Sequence, residues 1–202
     1  MKRHRVQVMK ELKDMSLAEL WELFPIILRA HNPEYEKWYE EERSNHISLL
    51  DGYPVSRISH IGSTAVPGLI AKPIVDILLE LESGYDQDGV TARLIGGGWV
   101  LMSRGPEEAL DLNKGYTPAG FAERVFHLHV RRLGDWGELY FRDYLRAHPE
   151  TASEYEKLKL SLKEQFEHDR DAYTNAKSQF VRTYTNAARE EFGTRYLREG
   201  KS

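Results

Sequence analysis

Between Ser16 and Phe24 the apolar residues Leu17, Leu20, Trp21 and Phe24 recur at helical spacing. Ser16 suits an N-cap, and Pro25 ends the run. A longer amphipathic helix is predicted after Asn32 and Pro33, with Tyr35, Trp38, Tyr39 and Ile47 on its buried stripe. The period then changes. "VSRISHIGS" alternates and is β-branched, which predicts a strand, and "KPIVDILLEL" is apolar enough for an interior strand. "DQDGVTARLIGGG" reads as a helix stopped by glycines, and "WVLMS" as the next strand. "GYTPAGFAERVFHLHVRRL" predicts a turn and then a strand from about Arg124 to Leu133. Three helices follow: "GELYFRDYLRAHPE", ending near Pro149; "TASEYEKLKLSLKEQFEHD"; and "RDAYTNAKSQFVRTYTNAAREEF". The last places Tyr173, Ala176, Phe180, Tyr184 and Ala187 on one stripe.

This layout is α/β (α+β): a mixed sheet in the first two thirds and a helical final third. We expect one domain over residues 1–202, with N-terminal helices over 1–50, a sheet core over 54–133 and C-terminal helices over 135–198. A content of 41% hydrophobic and 30% charged residues fits a water-soluble globular chain. No apolar run approaches a membrane span, and "MKRHRVQVMKELKDM" lacks the apolar core of a secretory signal, so "MKRHR" reads as a solvated start. The net charge of −4 argues against coating duplex nucleic acid. The absence of cysteine removes disulfides, thiolate metal sites and cysteine nucleophiles, and a cytoplasmic location is expected.

The chemistry concentrates in "HIGSTAVPGLIAKPIVD". Gly62 permits a sharp turn and close approach to a ligand. Ser63 adds a hydroxyl, and a short helix from Thr64 would aim backbone N–H groups at an anion. Pro67-Gly68 would end that helix, and Pro73 would start the next strand, which delivers Asp76. Lys72 adds a positive charge nearby. These parts suit a phosphate beside a metal-binding carboxylate.

Ile61, Gly62, Ser63 and Asp76 resemble the core motif of the polymerase-beta-like nucleotidyltransferase superfamily, and Asp76 falls at an acceptable distance after Ser63. The longer series "HIGSTAVPGLIAKPIVDI", "HLHV", "FRDYLRAHPE" and "YTNAKSQFV" resembles the GrpB family of bacterial proteins in the same order, from about Pro25 to Val181. "NPEYEKWYEEE" fits the family's opening. The resemblance implies a nucleotidyltransferase-like sheet core, a nucleoside triphosphate as substrate and a divalent metal, Mg²⁺ or Mn²⁺. The implied reaction transfers a nucleoside monophosphate to an acceptor. Family members also occur fused to dephospho-coenzyme A kinase, which implies nucleotide or coenzyme A chemistry. The superfamily's second acid belongs at position 78, where this chain has Leu78. Glu80 lies on the same strand face and is expected to line the pocket, but roughly 13 Å from Asp76 it is too far to share an ion.

His127 and His129 share one strand face and can form a metal cluster with Asp76, which would favour Zn²⁺, Mn²⁺ or Fe²⁺. The alternative is a half-buried pair bonded to backbone or carboxylate. His60 is a further ligand or phosphate donor. Arg142 and Arg146 share a helix face with Asp143 between them, which suits a phosphate or a solvated ion pair. Tyr173 and Lys177 also share a face, Tyr173 lining the pocket or packing in the core. The resemblance gives Lys177 the triphosphate contact of a C-terminal helix. The expected partner is thus a nucleotide or another phosphorylated small molecule. A non-catalytic module that binds nucleotide or coenzyme A, or assists a partner's folding, is one alternative. A metal-dependent phosphohydrolase is the other.

Overall fold

A computed structural model describes residues 10–197. The expected solvated start at "MKRHR" lies outside them. Twelve longer elements are described: α1 (Leu17–Leu23), α2 (Glu34–Leu49), β1 (Val55–Ile61), β2 (Val75–Leu81), α3 (Gln87–Gly96), β3 (Val100–Arg104), β4 (Leu110–Thr117), β5 (Gly120–Arg132), α4 (Gly137–Ala147), α5 (Pro149–Phe166), α6 (Arg170–Ala176) and α7 (Ser178–Phe192). The strands form one mixed sheet of order β1-β2-β5-β4-β3, in which β2 and β5 are parallel and the other neighbours antiparallel. The expected mixed α/β architecture holds.

Strand alternation gives the sheet two different faces. Val75, Ile77, Leu79 and Leu81 of β2 join Phe126, Leu128 and Val130 of β5 and Leu110 and Leu112 of β4 in the main core. Tyr35 and Tyr39 of α2 and Val90 and Leu94 of α3 cover that face. Each fully buried Leu or Ile contributes about 1.5–3 kcal/mol. The opposite face carries Asp76, Leu78 and Glu80 on β2 and His127, His129 and Arg131 on β5, directly paired across the strands. Helix α4 covers part of this face: Leu139 packs on Leu78 and Ile61. Helices α4, α5 and α7 then enclose Val66 and Leu69 of the loop after β1.

Several elements depart from their expected form. The buried stripe of α2 is Tyr35, Tyr39, Glu42 and His46, while Ile47 is exposed. Lys114 compensates Glu42, its Nζ 2.7 Å away. Strand β2 begins at Val75, not Lys72. Strand β4 was not expected, because Asn113, Lys114 and Gly115 disfavour a strand. Pairing on both sides overrides that propensity. Gly115 sits at a register shift with φ +91°, where a side chain would overlap the Arg124 carbonyl. Strand β5 begins at Gly120, four residues before its expected start. Pro149 opens α5 at its first turn. The expected final helix is two helices that meet at Lys177, and its buried alanine is Ala188 rather than Ala187.

Glu80 shows what the second sheet face does away from Asp76. It is fully buried and pairs with Arg57 through Nε at 2.5 Å and Nη2 at 2.7 Å. It also accepts from the Gly134 N–H at 3.1 Å. Its role is structural, on a separate row of the sheet from Asp76. Arg57→Leu leaves this carboxylate buried and unpaired, and should cost about 3–5 kcal/mol in urea unfolding. The double variant Arg57→Leu/Glu80→Leu should recover most of that loss. A single-variant loss below about 1 kcal/mol would mean the pair behaves like an exposed one.

Candidate functional site

The turn after β1 is built around Gly62. Its φ of +70° and ψ of −171° suit glycine, and a Cβ there would overlap Asp76 Oδ2. Asp76 pairs opposite Ile61 in β1, so the turn closes directly over the carboxylate. Ser63–Ala65 form a single 3-10 turn of three residues, too short to act as the anion-binding helix end expected from Thr64. The Thr64 hydroxyl is spent internally. It donates to the Ile74 carbonyl at 3.0 Å and lies 3.1 Å from His60 Nε2. His60 is buried, stacks on Tyr39 and bonds Glu36 through Nδ1 at 3.2 Å. Thr64 and His60 therefore brace the turn.

Asp76 begins a directed hydrogen-bond chain. His127 Nδ1 lies 3.0 Å from Asp76 Oδ1, His127 Nε2 lies 2.8 Å from the Tyr116 hydroxyl, and Arg170 Nη2 lies 3.0 Å from the same hydroxyl. Burial opposes ionisation of Asp76, but the hydrogen bond from His127 and the positive charge nearby, Lys72 included, outweigh it and lower its pKa. Burial lowers the pKa of His127 despite Asp76. A neutral His127 beside a carboxylate assigns the proton to Nδ1. Arg170 then donates to Tyr116, Tyr116 to His127 Nε2, and His127 Nδ1–H to Asp76.

The three expected metal ligands do not converge. His129 turns to Asp111 on β4, 2.9 Å from Nδ1, and Asp111 also takes Arg131 Nη2 at 2.7 Å. The His127 and His129 rings stand nearly perpendicular with centroids 6.5 Å apart. Among the described residues no group of three histidine or acidic side chains could hold an ion. Both His127 nitrogens are committed within the chain. Among the described residues Asp76, His127 and His129 therefore do not form a ready-made ligand set.

Cations gather here instead. Lys72 and Lys177 lie over the Tyr173 ring at 5.9 and 4.4 Å from its centroid. Lys159 of α5, which the sequence reading missed, is 2% exposed, donates to Ser63 Oγ at 3.3 Å and also bonds the Ile70 carbonyl. Among the described residues none of these lysines has a carboxylate within ion-pair distance, and neither has Arg170. Burial lowers Lys159 to about 7, with the Lys177 charge adding to it. Burial and the Lys72 charge lower Lys177 to about 7, and burial and Arg170 lower Lys72 to about 8; Asp76 opposes both shifts. A cleft of about 370 Å³ between α5 and α7 has Lys177, Tyr155 and Arg182 on its wall. Tyr173 itself is buried among Ile26 and Leu162.

Arg142 is not part of this cluster. It is held by the His60 carbonyl at 2.9 Å, the Tyr196 hydroxyl at 2.8 Å and Asp143 at 2.8 Å. Arg146 caps the Ala65 carbonyl. Both tie α4 to the β1 turn.

The fold and this site define a mixed α/β protein whose sheet sets one histidine-bonded carboxylate among cations, one buried and the others half-buried, that have no ion-pair partner among the described residues. The chain belongs to the GrpB family, whose profile, described as GrpB protein, matches residues 25–187. It is 36% identical over 160 residues to the glutamate-rich protein GrpB of Alkalihalophilus pseudofirmus, covering 77% of this chain and 91% of that one. It is 42% identical over 126 residues to a UPF0157 protein of Pseudomonas aeruginosa, covering 61% of this chain but only 52% of that one. A more distant similarity, 26% identity over 182 residues, is to a dephospho-CoA kinase of Mycolicibacterium paratuberculosis; it covers 78% of this chain and 44% of the kinase. The crystal structure of the conserved protein GrpB from Enterococcus faecalis superposes with a TM-score of 0.70 at 27% identity, covering 82% of this chain and 99% of that one. No described helix is long and apolar enough to cross a membrane.

The lysine shifts carry a sign. A lysine whose folded pKa lies below its unfolded value binds fewer protons when folded. Stability therefore rises with pH from about 7 to about 10.5 and is lost as pH falls through the folded pKa. Unfolding free energies of the wild type and Lys159→Met, compared at about pH 6.5 and about pH 9.5, should shift in favour of the wild type at the higher pH. A pH-independent difference would rule out the lowered pKa of Lys159.

Proposed function

We propose that the site binds the triphosphate of a nucleoside triphosphate and transfers the nucleoside monophosphate to a small acceptor. The observation that carries this reading is the group of three lysines, Lys72, Lys159 and Lys177, that have no carboxylate within ion-pair distance among the described residues and gather beside Ser63 and Asp76. Charge held out of water without a partner, as at the buried Lys159 and the half-buried Lys72 and Lys177, destabilises a fold, so its retention fits a polyanionic ligand that completes it. Ser63 and Lys159 would contact phosphate oxygens through charge-assisted hydrogen bonds.

In the transfer, an acceptor oxygen attacks the α-phosphorus and the bond to pyrophosphate breaks. Lys72, Lys159 and Lys177 take up the charge of the departing pyrophosphate. The acceptor's proton passes to the His127–Tyr116 pair, with Asp76 holding the imidazole in its tautomer. Nucleotide or coenzyme A binding without turnover is the second reading. It is favoured by Leu78, packed where the superfamily pattern has its second acid, and by the similarity to a dephospho-CoA kinase.

Pyrophosphate should bind in the presence of EDTA, measured by calorimetry, because lysines rather than a resident ion hold it. Lys159→Met should weaken that binding about tenfold or more, and affinity should fall from about pH 6.5 to about pH 9 as the lysines lose their protons. Binding that requires a divalent ion, or that ignores Lys159→Met, would sink the reading. ATP with a small-molecule extract should release pyrophosphate, and Asp76→Asn should abolish that release. Binding without release would favour the second reading.

A further inference from the structure

One cross-strand row runs over the whole polar face. Ile61 pairs with Asp76, Asp76 with His127, His127 with Asn113, and Asn113 with Val100. At about 4.8 Å per strand, Val100 at the sheet edge lies roughly 14 Å from Asp76. The outer part of this row, from His127 to Val100, floors a cleft of about 680 Å³. That size suits a small molecule. Helix α1 and the turn before it roof the cleft with Leu17, Leu20 and Trp21.

The lining is unevenly distributed. Helix α1 contains three leucines and a tryptophan but has no fully buried residue. Leu17 is 57% exposed, and Val100 and Met102 opposite it are 59% and 58% exposed. The inner end is aromatic and closed, with Phe24 4.9 Å from the Tyr116 ring and 5.0 Å from Phe121. Arg170 stands at that end. Its Nη2 holds Tyr116, and no described carboxylate lies within ion-pair distance of it. One end of the cleft is apolar and open; the other is aromatic, lies beside His127, and carries Arg170 with the adjacent Asp171 also in the lining.

We propose that this cleft is the acceptor site, taking a small molecule with a flat apolar body and an anionic end that pairs with Arg170. Its role as acceptor site rests on the nucleotidyl-transfer reading; its existence as a binding site does not. The body lies between α1 and β3, against Leu17, Trp21 and Met102. The anionic end anchors at Arg170, so a nucleophilic group on the body stands next to the Tyr116–His127 pair and one strand from Asp76.

The probe is 2-naphthoate, with 2-naphthylmethanol as its uncharged counterpart. Calorimetry should give saturable one-to-one binding of 2-naphthoate, with the alcohol about tenfold weaker. Arg170→Met should erase the preference for the acid. Met102→Glu, at an exposed position that tolerates the change in folding, should weaken both ligands about tenfold or more. Equal binding of acid and alcohol, or binding indifferent to Met102→Glu, would overturn the proposal. So would naphthoate binding that appears only in a chain lacking residues 1–9, which would make that segment the occupant. A dimer that dissociates in sedimentation on Met102→Glu would instead assign the cleft to a second copy. Pyrophosphate binding in the same samples separates the two readings: pyrophosphate without naphthoate overturns the cleft, and naphthoate without pyrophosphate upholds the cleft and removes the nucleotidyl-transfer reading.

Discussion

The parallel, in-register pairing of β2 with β5 is the constraint on which the rest of the molecule depends. It buries the apolar residues of both strands under α2 and α3, and so sets which face of each strand points inward. A slip of one residue would send Asp76 and His127 into the core and expose Ile77 and Leu128. Core packing thereby fixes the polar geometry on the opposite face. Because Asp76 and His127 are direct neighbours, their hydrogen bond needs no loop to arrange it. Strand β4 extends this pairing outward, adding Asn113 and Asp111 in register and Tyr116 beyond the shift at Gly115.

The second organising effect is electrostatic. Rows away from Asp76 satisfy their charges internally: Glu80 with Arg57, and Asp111 with Arg131 and His129. Around Asp76 the balance differs. Lys72, Lys159 and Lys177 have no carboxylate within ion-pair distance among the described residues, and aromatic faces take the place of counterions. A cation over a ring recovers only part of what solvation or an ion pair provides. That corner of the fold carries an electrostatic cost the remainder of the sheet avoids, and such sites are where function concentrates.

Much of this was readable in the chain. The alternation of "VSRISHI", the apolar run of β2 and the glycine stop of α3 identified their elements because local pattern and tertiary burial agree there. Gly62, Ser63, Asp76 and Lys72 could be singled out because they sit close together in sequence. Strand β4 was missed because its order comes from neighbours far along the chain. Lys159 was missed because a lysine on an amphipathic helix reads as solvated; its burial follows from α5 lying across the loop at Ser63 and Ile70. Arg142 and Glu80 were expected in the pocket because pattern reveals which face a residue occupies but not which partner it meets.

Leu78 bears on how freely this protein could change its chemistry. It is 1% exposed and packs with Ile61 and Leu139 beneath α4. An aspartate there would enter a space shaped for a branched aliphatic chain, and its cross-strand neighbour His129 is already bonded to Asp111. A second acid at this position would therefore sit beneath α4 against Leu139 and Ile61, so the packing that seats α4 on the sheet also keeps the polar row of Asp76 to a single carboxylate.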